Sequence, residues 1–216
     1  MATHGYANLI RSLKYLVIAT CPNIVYAINN LAQFTSAPKL KHWTAVKRIF
    51  RYLKGTKNYK LIYGGSDELL NEELNIYCDA DWASDLDRKS ISGYVITIAG
   101  GAVAWSSKKQ TTVTPSTSEA EYIAATHIAK QVLLYCSLLM ELDFSLTTPS
   151  TIFLDNQLVI SIAHHPGFHA QTKHIDIAVH FLCDHVKNRI LDLYYINTEY
   201  NIGRYIYKGT QETVTY

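Results

Sequence analysis

Three tracts with acidic residues limit most strongly what this chain can fold into. Two are short apolar runs that end in acids, and the third is the start of a long helix that carries acids in its first turns. Residues 74–81 and 151–156 each predict a strand running into an acid, and residues 116–122 predict a helix start. The candidate carboxylates of these tracts are Asp79, Glu121 and Asp155. Acids held at strand ends and helix starts suit hard divalent cations, which bind carboxylate oxygens. Two such cations can activate a water and stabilise the leaving oxygen of a phosphodiester.

The periodicity of the chain predicts an α/β fold with a mixed sheet flanked by helices. Three strands should pair antiparallel, with Gly100-Gly101 as the turn of the second hairpin. Later strands should join the sheet through helices. The predicted strands cover 74–79, 93–99, 102–107, a run ending at Asp155, and 190–196, and the predicted helices cover 116–142, 157–164 and 174–188.

The chain is strongly asymmetric in charge, because its first part is basic and the remainder acidic. Residues 1–66 contain ten Lys or Arg and no acid, whereas the remainder has ten basic and eighteen acidic residues. The basic segment is predicted to be helical, and its second helix has an apolar stripe opposite Lys47, Arg48, Arg51 and Lys54. The uncompensated charge favours contact with nucleic acid. The alternative is a basic helix face that is merely solvated.

Composition excludes several other classes of protein. No apolar run approaches the ~18 residues of a membrane span, and the N-terminus lacks the pattern of a signal peptide. The four cysteines show no short paired spacing, so they predict reduced thiols in an intracellular protein of the cytoplasm or nucleus.

Several motifs together resemble the ribonuclease H domain of copia-type retrotransposon Pol polyproteins. They lie in order and at similar spacing, at residues 77–85 (YCDADWASD), 88–94 (RKSISGY), 105–110 (WSSKKQ), 118–122 (SEAEY), 155–156 (DN) and 172–177 (TKHIDI). Upstream, residues 42–56 are similar to the C-terminal end of the family's reverse transcriptase. The resemblance therefore implies a reverse transcriptase remnant at 1–66 and a ribonuclease H-like domain at 73–210.

The resemblance implies hydrolysis of the RNA strand of an RNA–DNA hybrid with two Mg²⁺ ions, or Mn²⁺ in their place. Asp79, Glu121 and Asp155 would be the catalytic metal ligands. Glu121 fits better than Glu119, because Glu-Tyr-Ile-Ala matches the family helix after its acid. The partners it implies are the hybrid and, ancestrally, the rest of the Pol polyprotein.

The fourth ligand is where the chain departs from the family pattern. When this chain is aligned with the family pattern at Thr198-Glu199 and at Lys208, the family's last acid falls on Arg204. We interpret Thr198-Glu199 as a helix N-cap. A positive charge ~4 Å from a cation opposes it by about 4 kcal/mol at intermediate dielectric, and Arg cannot lose its proton. The chain is then either a weakened ribonuclease H or a non-catalytic relic that keeps the fold. We favour loss of activity, unless Glu199 or Asp192 replaces the missing ligand.

Overall fold

The computed structural model describes residues 2–64, 74–83, 87–144, 148–164 and 176–208. The helices are α1 (Ala2–Ala19), α2 (Val25–Ala32), α3 (Leu40–Gly55), α4 (Thr117–Glu141), α5 (Gln157–His164), α6 (Asp176–Lys187) and α7 (Tyr205–Lys208). The strands are β1 (Asn75–Asp81), β2 (Ile91–Ile98), β3 (Gly101–Lys109), β4 (Ser150–Leu154) and β5 (Leu191–Tyr195). Short 3-10 turns occupy Pro22–Ile24 and Ile202–Arg204.

The strands form one mixed sheet in the order β3-β2-β1-β4-β5. β1, β2 and β3 pair antiparallel, and β4 pairs parallel with both β1 and β5. This confirms the predicted fold class. Among the described residues, the predicted strand and helix limits agree with the structure to within two residues.

The β2–β3 hairpin turns one residue earlier than predicted. Ala99 and Gly100 both have positive φ, 48° and 74°, as the two central residues of a type I′ turn require. Gly101 already pairs with Ile98 and so belongs to β3. The Gly-Gly pair allows either placement, and Ala99 takes the left-handed position despite its Cβ.

One face of the sheet packs against α4, α5 and α6. This core includes Ile76 and Cys78 of β1, Ile128 of α4, Ile152 of β4 and Leu182 of α6. Alternation along β1 sends Ile76 and Cys78 to this face. Tyr77 and Asp79 therefore point to the opposite side.

The basic helical segment covers the other face of the sheet at the β2–β3 side. α1, α2 and α3 share a second core with Val95, Ala102 and Ile206. The Trp105 indole nitrogen donates to the Val17 carbonyl at 2.8 Å, which ties β3 to α1. The proposed boundary between the two segments, at residues 66–73, lies outside the described residues and stays a prediction.

α4 is the central helix of the larger core. The Ser116 hydroxyl caps it by accepting from the Glu119 amide at 3.3 Å, as predicted for the start of this helix. By length and composition, α4 is the helix in the described ranges that could cross a membrane. In the fold, its buried face packs against β1 and α6.

Candidate active site

The first two candidate acids lie side by side at the ends of neighbouring parallel strands. Asp79 is 5% exposed near the end of β1, and its Oδ1 accepts from the Ala80 amide at 2.7 Å. β1 and β4 pair in the register Tyr77 opposite Phe153. If this register is continued by two residues, Asp79 stands opposite Asp155, which is the first residue after β4.

The third candidate, Glu121, approaches these acids from the second turn of α4. Burial and the nearby Asp155 raise the pKa of Glu121 to about 7, with a smaller contribution from Asp79. A hydrogen bond from the Asn156 side chain lowers the pKa in part. The Glu121 Oε2 atom is buried without a hydrogen-bond partner among the described residues. The helix thus holds a carboxylate where neighbouring negative charge opposes its ionisation.

The buried Cys78 thiol is within electrostatic range of all three carboxylates. Its pKa is raised well above the usual value, first by burial and then by the charges of Asp79, Glu121 and Asp155. The structure therefore brings the three acids into one electrostatic neighbourhood. In the described ranges, however, no group of three or more His, Cys, Asp or Glu side chains converges closely enough to hold a metal ion.

The donor set nevertheless has the chemistry that a divalent cation requires. Carboxylate oxygens are the ligands that Mg²⁺ and Mn²⁺ prefer. The buried, unpartnered Oε2 of Glu121 is an acceptor that a cation can satisfy. We conclude that these residues fit a hard divalent cation by chemical type.

Asn156 links the acid-bearing elements, a role that the sequence did not suggest. Its Oδ1 caps α5 by accepting from the Leu158 and Val159 amides at 2.9 and 3.3 Å. Its Nδ2 donates to the Ser118 hydroxyl of α4 at 3.3 Å. An Asn just before a helix is a recognisable N-cap, but its second set of contacts depends on the tertiary fold.

Thr198 and Asn201 are further contacts of the site that the sequence did not reveal. The Thr198 hydroxyl donates to Asp155 Oδ2 at 2.7 Å, and the Asn201 Nδ2 donates to the Cys78 carbonyl at 2.9 Å. Asn201, and not Thr198-Glu199, caps the last helical turn, because its Oδ1 accepts from the Gly203 amide. The predicted N-cap was therefore wrong by about one helical turn.

Arg204 lies on the 3-10 turn Ile202–Arg204, which packs on β1. Its amide donates to the Asn201 carbonyl at 3.1 Å, and the residue is half-buried. The neighbouring Gly203 is so close to β1 that an added Cβ would lie 2.9 Å from the Tyr77 carbonyl oxygen. The backbone of Arg204 is thus anchored beside the strand that carries Asp79.

Neither alternative fourth acid is brought into the site by the described contacts. Asp192 pairs with Thr151 in the sheet, four residues before Asp155, which is about 13 Å along the strand. There it faces His164, with 3.7 Å between the carboxylate and the ring nitrogen. The register of the sheet therefore places Asp192 away from Asp155. Glu199 is exposed in the turn after Thr198.

The basic residues proposed to contact nucleic acid share the solvent face of α3. Val46 and Ile49 lie on the other face of the helix and pack in the second core. The four exposed side chains are Lys47, Arg48, Arg51 and Lys54. Residues 172–175 of the motif at 172–177 lie outside the described ranges.

Comparison with known proteins identifies the family. No family model matches the chain. Over 202 residues it is 40% identical to the retrovirus-related Pol polyprotein from transposon TNT 1-94 of Nicotiana tabacum. The alignment covers 93% of this chain and 15% of that protein. The chain belongs to the copia-type family of retrotransposon Pol polyproteins. It spans only a small part of that relative's length.

Two solved structures show the fold of this Pol chain. An RNase H1 isolated from compost matches 62% of the chain and 92% of its own, with a TM-score of 0.50 and 17% identity. A foamy viral protease-reverse transcriptase in complex with an RNA/DNA hybrid matches 95% of this chain and 26% of its own, with a TM-score of 0.51 and 14% identity. The Pol chain therefore has a ribonuclease H-like fold.

Proposed function

We propose that this Pol chain binds an RNA–DNA hybrid, and that its ancestral reaction, hydrolysis of the RNA strand, is weakened or lost. Asp79, Glu121 and Asp155 are the proposed metal ligands. Bound Mg²⁺, or Mn²⁺ in its place, would activate the attacking water and stabilise the leaving oxygen.

The observation that supports this proposal most strongly is the state of Glu121. Its carboxyl is buried within electrostatic range of Asp155 and Asp79 and has one unpartnered oxygen, an arrangement that costs stability without a compensating cation. Such like-charge neighbourhoods are typical of functional sites.

The proposed hybrid-binding surface includes the basic face of α3, because phosphate contacts supply much of nucleic-acid affinity. The foamy viral protease-reverse transcriptase that shares the fold is itself in complex with an RNA/DNA hybrid. The natural partner of this chain would also include the rest of a Pol polyprotein. All four cysteines are free thiols, which supports an intracellular site of action, in the cytoplasm or nucleus.

A second candidate function is nucleic-acid binding without catalysis, as in a relic of a decayed element. Arg204 favours it, because this residue stands where the resemblance expects the fourth acid. A fixed positive charge at that point would oppose the cation that the three acids attract.

Cleavage of a labelled RNA–DNA hybrid in Mg²⁺ or Mn²⁺ tests the proposal. We expect the parent chain to cleave weakly or not at all, and its Arg204→Asp variant to cleave at least about a hundredfold faster than the parent, in line with the charge penalty. The matched control is Lys187→Asp, which makes the same type of charge change on an exposed residue at the end of α6.

Each outcome separates the two candidate functions. Cleavage that Asp79→Asn abolishes supports the ribonuclease H function. If the parent binds the hybrid, and neither the parent nor the Arg204→Asp variant cleaves it, the result supports the non-catalytic function. Absence of both binding and cleavage contradicts both.

A further inference from the structure

The loop at residues 196–204 is fixed to β4 immediately before one of the candidate acids. The Ile196 amide donates to the Leu154 carbonyl at 2.8 Å, which continues the pairing of β5 with β4 by one residue. Two residues later, the Thr198 hydroxyl donates to Asp155 Oδ2 at 2.7 Å. The short distance is typical of a charge-assisted hydrogen bond to a carboxylate.

The same loop is fixed to β1 immediately before the other strand-borne acid. The fully buried Asn201 donates through Nδ2 to the Cys78 carbonyl at 2.9 Å, and Cys78 precedes Asp79. Gly203 then packs on the Tyr77 carbonyl with no space for a Cβ. Since both anchors are backbone positions of the sheet, the loop carries Thr198 at a defined place relative to the two strand ends.

The two strand-borne acids differ in how they are oriented. Asp79 is 5% exposed, and the amide of the next residue in its own strand holds its Oδ1. Asp155 is half-buried and lies beyond the end of β4, where the backbone leaves the sheet. A carboxylate in that position has several accessible rotamers. The bond from Thr198 selects one of them.

We propose that Thr198 is a positioning residue that orients Asp155 for cation binding, with the 196–204 loop as its support. This role rests on the proposed function, because it presumes that Asp155 is a metal ligand. Hydrogen bonds to ligating carboxylates fix the ligand's orientation, so the cation does not have to order it on binding.

Mn²⁺ binding, measured from the electron paramagnetic resonance signal of the free ion, tests this role without any need for catalysis. The parent chain, Thr198→Val and Thr198→Ser are compared, and each is also made in the Arg204→Asp background. The matched control is Thr44→Val, which removes an exposed threonine hydroxyl that donates to the Leu40 carbonyl of α3 at 3.1 Å. Circular dichroism melting verifies that each variant folds.

We expect Thr198→Val to weaken Mn²⁺ binding about tenfold, at the lower end of the usual range because the bond is exposed to solvent. Thr198→Ser, which keeps the hydroxyl, should bind within about twofold of the parent, as should Thr44→Val. Equal binding by Thr198→Val and the parent would overturn the role of Thr198 and leave the proposed function intact. Absence of Mn²⁺ binding by both the parent and Arg204→Asp would overturn the proposed function and the role of Thr198 together.

Discussion

Glu121 carries the clearest testable consequence at the scale of a single residue. Its pKa in the fold is about 7, above the ordinary 4.5, because burial and Asp155 oppose its ionisation. Between these two pH values the folded state binds more protons than the unfolded state. In the metal-free protein, the contribution of Glu121 to stability therefore falls as pH rises through this window.

We predict that Glu121→Gln removes this loss. At pH 8 in a chelator, the variant should be more stable than the parent by about 1–2 kcal/mol, a figure discounted for solvent screening of a partly exposed group. At pH 4 the difference should vanish. Urea unfolding at both pH values measures it, and Glu119→Gln, two residues earlier in α4, is the control. An equal gain from Glu119→Gln would show that the effect is not specific to Glu121.

The sequence located the acids of the candidate site but not the residues that support them. Asp79 lies near the end of an apolar strand and Asp155 directly follows one, a local pattern that can be read from the sequence. The bond from Thr198 to Asp155 crosses 43 positions, and the bond from Asn201 to Cys78 crosses 123. No local pattern encodes such contacts, because the register of the sheet and the path of the loop decide them.

At the scale of elements, periodicity and turn residues predicted the correct types and nearly correct limits. The β2–β3 hairpin shows why the limits are less certain. Adjacent glycines at 100 and 101 permit a two-residue turn in either of two registers, and the pairing of Ile98 with Gly101 selects the earlier one. This pairing depends on how the whole of β3 packs, which the turn residues alone do not determine.

α3 is the element on which the proposed nucleic-acid contact can be tested. A variant that keeps the buried stripe of Val46 and Ile49 but removes most of the positive charge of the helix replaces four exposed residues by Gln, namely Lys47, Arg48, Arg51 and Lys54. Hybrid binding should then depend less steeply on salt. The slope of log K against log salt should become shallower by about 0.9 for each phosphate that the helix no longer neutralises. Fluorescence anisotropy across a salt series measures this slope.

A matched control for α3 changes charge elsewhere on the surface. Lys187 and Arg189 are exposed around the end of α6, and their replacement by Gln should leave the slope unchanged. An unchanged slope in the α3 variant as well would mean that this basic face is merely solvated.

At the scale of the whole molecule, the sequence treats the basic helical segment and the ribonuclease H-like domain as two units. The apolar stripes of the helices indicate that one face is buried, but not which surface covers it. In the structure, Val95 of β2 and Ile206 of α7 lie in the same core as α1, α2 and α3. The segment that resembles reverse transcriptase thus forms the layer that covers this second face of the sheet.

This shared core predicts that residues 73–216 alone are less stable than the full chain. Removing the helices exposes Val95 and Ile206, each about 1% exposed now, and burial of such side chains contributes roughly 1.5–3 kcal/mol apiece. Urea unfolding should therefore show a loss of about 3 kcal/mol or more. Val95→Ala is the internal control, because it should destabilise the full chain by about 1–2 kcal/mol and the shortened chain by clearly less. Equal stability of the two chains, with equal effects of Val95→Ala in both, would mean that the ribonuclease H-like domain folds independently of the helices.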